Sequence, residues 1–208
     1  MRLRNLLTIA LLSFAVACGK SKSSTVDTAA VITNVGPPRG NQLPITTPPM
    51  TFNLSSSAFA PNSSMPTKYT CEGANISPPF AWSGAPANAK SFALIVEDPD
   101  APDPAKPTRV VSHWVAYNIP ASATSLSENA SNKGMPAGSA QGSNEGNKQV
   151  YMGPCPPIGR HRYFFKLFAL DTVLSGLSNP KKADLEKAIQ GHVVGNAELI
   201  GTYQKTKK

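Results

Sequence analysis

Charged side chains are scarce in this sequence: 15% of its 208 residues are charged against 40% apolar. That balance suits one globular domain plus extra segments and argues against two folded domains. No run of basic residues is interleaved with aromatics, so the formal charge of +8 does not mark a nucleic-acid partner. Arg2 and Arg4 sit in an N-terminal leader, while Lys205, Lys207 and Lys208 form a short tail. What remains is a mild affinity for anionic surfaces. There is no metal spacing of the His-Glu-x-x-His kind, no serine nucleophile elbow and no internal repeat. Neither a metal nor an organic cofactor is expected.

The apolar run from Leu6 to Val16 is too short for a stable bilayer span. With Arg2 and Arg4 before it and small residues after it, the run has the order of a secretory signal over residues 1–17. The segment from Leu12 to Cys18 is similar to a bacterial lipobox, with Ala15 where leucine is usual. Cys18 is then the acylated first residue of the mature chain. Gly19 follows it in place of an inner-membrane aspartate signal, which makes an envelope lipoprotein on the periplasmic face of the outer membrane the default expectation. Residues 18–50 are rich in Ser, Thr, Pro, Gly and Asn, the composition of a flexible tether. With Cys18 lipidated, the other two of the three cysteines, Cys71 and Cys155, remain as a disulfide candidate. An exported compartment permits that bridge, worth roughly 4 kcal/mol on a chain-entropy basis. Two buried free thiols are the alternative.

The folded domain is expected over residues 51–208. Thr51 to Leu54 starts a short strand, and Lys68 to Cys71 reads as another strand fragment. Ser91 to Glu97 is a nearly continuous apolar run, the pattern of a central strand buried on both faces. It is expected to stop at Asp98, because Pro99 and Pro102 cannot continue a ladder. Arg109 to Ile119 is a second long strand, with His113, Val115, Tyr117 and Ile119 assigned to one face. Ser122 to Lys148 is polar and Gly-rich and reads as a long excursion. Asn179 and Pro180 predict the start of a helix carrying Leu185, Ala188 and Ile189, with Gly191 as its stop. His192 is placed at that helix end. Ala197 to Tyr203 gives a last strand.

Tyr151 to Leu170 organises the rest. Its first half is saturated with Gly and Pro, and its second half alternates. His161, Tyr163, Phe165, Leu167 and Ala169 fall on one face, with Arg162, Phe164, Lys166, Phe168 and Leu170 on the other. A rigid loop therefore delivers a strand whose first inward residues are polar, a common setting for a small-ligand pocket. Taken singly, the candidate residues have ordinary explanations. His113 is by default a satisfied core histidine, Asp98 and Asp100 are common turn residues, and Trp114 and Tyr163 are packing aromatics.

Six ordered motifs change those odds. They are Tyr69-Thr-Cys-Glu-Gly, Asn75-Ile-Ser-Pro-Pro with Trp82, Asp98-Pro-Asp-Ala-Pro, His113-Trp with Asn118-Ile-Pro, Gly153-Pro-Cys-Pro-Pro and Gly159-Arg-His-Arg-Tyr. Together they resemble the phosphatidylethanolamine-binding protein family, nearest its bacterial Raf-kinase-inhibitor-like branch, from about Thr51 to Tyr203. The resemblance implies a mainly β fold, a β-sandwich with a large antiparallel sheet and one or two peripheral helices. It also implies an anion pocket on Asp98, Asp100, His113, Gly153, Cys155, Pro156, His161 and Tyr163, with Tyr151 and Pro157 nearby. Asn144 to Gln149 departs from the family pattern at the pocket rim.

The function implied is non-catalytic binding of a phosphate-like anion or phospholipid headgroup, with membrane attachment through the N-terminal lipid. In that scheme Asp98 or Asp100 accepts a hydrogen bond from His113 or His161 and favours the cationic ring. The free histidine edges, the Tyr163 hydroxyl and the Gly153 and Cys155 amides then face the anion. A metal-dependent ester or phosphoester hydrolase using the Asp/His cluster is one alternative. A protein-interaction or hydrolase-inhibitor module acting through Ser122 to Lys148 is another, its partner unspecified.

Overall fold

Four long strands and two short helices take their places from the patterns just read, in a computed structural model that describes residues 51–206. The leader, Cys18 and the tether lie outside the described residues, as do Lys207 and Lys208. In chain order the strands are β1 (Asn53–Ser55), β2 (Phe80–Ser83), β3 (Ser91–Ala101), β4 (Arg109–Pro120), β5 (Ser125–Leu126), β6 (Ala140–Gln141), β7 (Arg160–Leu170) and β8 (Val193–Gln204). The helices are α1 (Ala130–Lys133) and α2 (Lys182–Ile189). A three-stranded sheet runs β1-β2-β5 and a five-stranded sheet runs β6-β4-β3-β7-β8, with every named pair antiparallel.

The inward side chains of both sheets form the main core, including Phe80, Trp82, Phe92, Leu94, Val96, Trp114, Tyr163, Phe165 and Leu199. The β7 alternation is borne out: His161, Tyr163, Phe165, Leu167 and Ala169 are all at most 1% exposed. On the opposite face of the large sheet, Ala93, Ile95, Val115, Tyr117 and Leu170 receive Leu185 and Ile189 of α2. Burying each aliphatic side chain there contributes about 1.5–3 kcal/mol. The same helix is tied to the sheet by charge, since buried Glu97 pairs with Lys166 of β7 and, at 3.0 Å, with Lys182 of α2.

Several expectations change. Lys68 to Cys71 is not a strand: Thr67–Tyr69 is a single 3-10 turn. β3 does not stop at Asp98 but reaches Ala101 through a bulge, with Asp98 opposite Val111 and Ala101 opposite Arg109, so Pro99 sits where no ladder hydrogen bond is required of it. α2 begins at Lys182, later than Asn179 and Pro180 suggest. The Asn179 side chain instead accepts a hydrogen bond from Ser143 Oγ at 2.8 Å. The Ser122–Lys148 excursion holds β5, α1 and β6 and buries Leu126, Ala130, Ser131, Ser143 and Asn144. Its order rests largely on hydrogen bonds, among them Asn144 Nδ2 to Val150 O at 2.8 Å and Asn144 Oδ1 from Lys148 N at 3.1 Å. That is why an apolar period does not reveal it.

The largest correction concerns β4. Val96 pairs with Trp114 and Glu97 with Ser112, leaving His113 as an extra residue; Phe92 pairs with Ile119 and Leu94 with Ala116, leaving a second surplus at Tyr117 and Asn118. Each surplus is a β-bulge. Asn118 takes φ 54° there, and its side chain is held by both backbone groups of Leu174 at 2.9 Å. Consequently Val111, His113, Trp114, Ala116 and Ile119 point inward, while Ser112, Val115 and Tyr117 point outward. The single face assigned to His113, Val115, Tyr117 and Ile119 does not exist.

Candidate functional site

At the end of the sheets where β3 and β4 leave their bulges and β7 begins, the inward residues are Asp98, Val111, His113 and His161. The loop before β7 closes this end, and the result is a cavity of about 340 Å³. Of the residues expected there, Asp98, His113, Gly153, Cys155, Pro156, Pro157 and His161 line it. Asp100, Tyr151 and Tyr163 are not on its lining.

The Asp98 carboxylate is 3% exposed and both its oxygens are engaged. Oδ1 accepts the Asp100 N–H at 2.8 Å, and Oδ2 lies 2.7 Å from His161 Nδ1. This is the aspartate–histidine contact expected from the sequence, resolved to one pair. His161 Nε2 lies 3.0 Å from the Ile158 carbonyl. A carbonyl only accepts, so Nε2 donates, while Nδ1 faces the Asp98 carboxylate. Both edges of the His161 ring are therefore spent inside the protein.

His113 is different. Its Nδ1 donates to the Met152 carbonyl at 2.6 Å, and the Met152 N–H returns a bond to the His113 carbonyl at 2.8 Å. Burial pushes the His113 pKa below its ordinary value, outweighing the Met152 bond and the Asp98 and Glu145 charges that favour the protonated ring. A neutral ring protonated at Nδ1 presents a bare Nε2. That nitrogen, with no partner among the described residues, is the free histidine edge of the cavity. Of the two histidines offered for the cationic role, His113 is thus a neutral acceptor instead. Tyr163 backs this ring edge-on, with centroids 5.2 Å apart. Its hydroxyl is buried without a normal hydrogen bond, and burial together with the Asp98 charge pushes its pKa far up.

Asp100 faces away from the cavity. It accepts three bonds from Arg162, from N at 2.8 Å, Nε at 2.9 Å and Nη2 at 2.7 Å. These bonds hold its carboxyl below the usual range even though burial opposes them. Asp100 and Arg162 lock the β3 end against the start of β7. Tyr151 is a strut: its hydroxyl donates to Tyr69 O at 3.0 Å and its N–H to Ser131 Oγ at 2.6 Å. The Gly153 N–H, expected to face a ligand, donates to Asn75 Oδ1 at 2.7 Å. The Cys155 N–H has no partner among the described residues and stays available. Among the four Asp/His side chains that motivated a metal reading, one ring nitrogen is free, and no group of three such ligands converges among the described residues.

The loop itself is pinned. Cys71 and Cys155 form a disulfide across 84 positions of chain with Cα atoms 5.4 Å apart, and Cys71 N donates to Pro154 O at 3.1 Å. At Gly153 an added Cβ would stand 2.5 Å from Asn75 Oδ1 and 2.6 Å from Tyr69 O. Gly153→Ala is therefore expected to cost about 1–3 kcal/mol. Urea denaturation of the variant checks this, and an unchanged midpoint would contradict the packing described.

The sequence reading missed Arg109, Val111, Glu145, Gly146 and Met152, all on the lining. Arg109 is exposed, has no ion-pair partner among the described residues, and is the cavity's own cation. An isolated arginine at a strand start carries no signal that would have found it.

Two antiparallel sheets with a small cavity at one end, walled by proline and histidine, define a β-sandwich with an end pocket. The family model for phosphatidylethanolamine-binding protein matches residues 55–204. The chain belongs to that family. A UPF0098 protein of Methanothermobacter thermautotrophicus is 50% identical over 155 residues, covering 74% of this chain and 99% of that protein. A Chlamydia pneumoniae UPF0098 protein is 46% identical over 155 residues, covering 74% of this chain and all of its own length (100%). Among solved structures, a putative phosphatidylethanolamine-binding protein homolog from Chlamydia trachomatis superposes with TM-score 0.68 at 41% identity, covering 74% of this chain and 98% of its own. Escherichia coli YbcL superposes with TM-score 0.69 at 33% identity, covering 76% and 100%.

Proposed function

We propose that the cavity binds the phosphate-bearing end of a small ligand, a free phosphate or a phospholipid headgroup, without chemically altering it. The observation that carries this reading is the bare Nε2 of His113 in a cavity also lined by Cys155, with its free amide, and by Arg109. A neutral acceptor suits an anion that brings a proton, either as a P–OH donor or by protonating the ring on arrival. Apolar walls from Ala101, Pro102, Val111, Met152, Pro156 and Pro157 thin the surrounding water and strengthen each contact. His161, Asp98 and Asp100 position the wall and do not touch the ligand.

Because anion binding stabilises His113 in its protonated form, affinity is expected to rise as pH falls. Sulfate has no titrating proton in this range and isolates the histidine; phosphate and phosphoethanolamine report the ligand class. Calorimetric titration should show sulfate binding at least about tenfold tighter at pH 5.5 than at pH 8. His113→Ala should abolish that difference. Equal affinity at both pH values would sink the assignment.

We further propose export and lipid attachment at Cys18. With Cys71 and Cys155 bridged, Cys18 is the odd thiol, and stable disulfides belong to oxidising compartments. A periplasm-facing envelope position is the corresponding location, with the outer membrane as default. Cys18→Ala is expected to move the protein from the membrane to the soluble fraction, and an N-terminal peptide without lipid mass in the unaltered protein would overturn the anchor.

A further inference from the structure

On the other side of β4 lies a second and larger cavity, about 460 Å³. Val110 and Ser112 line it from β4, Lys181 and Ala183 from the start of α2, and Glu145 from the loop that separates it from the first cavity. Its features do not depend on the anion reading of the first site.

Three of them ask for a partner. Ser112 is 6% exposed and its Oγ has no hydrogen bond. A buried hydroxyl left unpaired is costly, and native structures rarely keep one without a use. The eight-residue helix α2 opens into the cavity with the Asp184 carboxylate bonded back to the Lys181 N–H at 3.0 Å, which leaves the Lys182 and Ala183 amides as the open donors of its first turn. Lastly, two opposite charges border the same space without pairing. Lys182 is committed to Glu97 and Glu186 at 3.0 Å each, whereas Lys181 and Glu145 have no ion-pair partner among the described residues.

We propose that this cavity is a second small-molecule site, for a zwitterion in which an ammonium is joined to a carboxylate or phosphate. The anionic group meets Lys181 and the first amides of α2, the ammonium meets Glu145, and Ser112 Oγ receives a hydrogen bond from the ligand or donates one to it. A simple anion leaves Glu145 unpaired and a simple amine leaves the helix end unpaired, so the joined molecule is preferred over either half. The volume lies within the ordinary range of small-ligand pockets, about 300–1,000 Å³. Because Glu145 borders both cavities, occupancy here also fixes a carboxylate on the rim of the first.

The test is an NMR titration of the whole chain, following the amide signals of Lys182, Ala183 and Glu145. The probes are glycylglycine, phosphoethanolamine, acetate and methylammonium, with His113→Ala as the background that removes the first cavity's free edge. At least one zwitterion should give saturable shifts at least about tenfold tighter than acetate or methylammonium, and which one does so identifies the anionic group. Ser112→Ala, which removes only an unpaired hydroxyl, and Lys181→Ala at an exposed position should each weaken it about tenfold and leave the fold unchanged. Three results overturn the proposal: no saturable shift with either zwitterion, acetate binding as tightly as the zwitterions, or unaltered affinity in both variants.

Discussion

Replacing Cys71 and Cys155 together by serine should lower the stability of the domain by roughly 4 kcal/mol, because the bridge closes a long stretch of the unfolded chain. For a domain of this size that corresponds to a fall in Tm on the order of 10 °C. The bridge also fastens the Gly153–Pro157 wall of the first cavity to the turn at Thr67–Tyr69, so the effect is not confined to the unfolded state. Sulfate affinity at pH 5.5 should weaken in parallel, measured below the lowered Tm where the variant is still folded. A variant that melts with the unaltered protein, or one that melts early but binds normally, separates the two halves of this prediction.

Asp98→Ala has the second large expected effect. Asp98 Oδ2 meets the ring of His161, which is 0% exposed, and Oδ1 receives the Asp100 amide. Truncation leaves both groups without their partner at a nearly buried position, for which about 3–5 kcal/mol is the usual cost of breaking a buried pair by removing one partner. That is a large share of a typical total of about 5–15 kcal/mol. Asp98→Asn keeps the size and one acceptor and should recover part of the loss. Denaturant titration of both variants checks the order, and a loss under about 1 kcal/mol in Asp98→Ala contradicts the tight pairing.

Acid should weaken the fold in two stages. His113 is held neutral by burial, so the unfolded chain binds a proton that the folded chain refuses, and stability falls as pH drops below about 6.5. Asp100 and Glu97 have folded-state pKa values below the ordinary carboxylate range, Asp100 through Arg162 and Glu97 because Lys166 and Lys182 outweigh its burial. Their contributions are present above about pH 4 and are lost as pH falls through the lowered values.

Much of this was legible in the residues and some could not have been. The β7 alternation is a local period, and it named the inward His161 and Tyr163 correctly. The motif order identified the family and half of the first cavity's lining. The β4 faces were misread because a bulge is a mismatch in count between two strands, visible only once Val96 is set opposite Trp114 and Glu97 opposite Ser112. Asp100 looked equivalent to Asp98 in Asp-Pro-Asp, yet the bulge at Pro99 sends one carboxylate to His161 and the other to Arg162. The polar contacts of Ser131, Ser143 and Asn144 carry no periodic signature, so the segment they order read as a loop.

The two bulges of β4 act on the strand as a pair of compensating frameshifts acts on a gene. Before His113 the odd-numbered residues face inward; between the bulges the even-numbered Trp114 and Ala116 do; from Ile119 the original phase returns. The cavity-facing end and the core-facing middle of one strand are therefore written in different frames. A substitution at Val111 or His113 alters the cavity without disturbing the alternation of the middle. Deleting His113 alone would restore one-to-one pairing there and leave Trp114, Val115, Ala116 and Tyr117 on their present faces, so the cavity would lose its free nitrogen while the core kept its side chains.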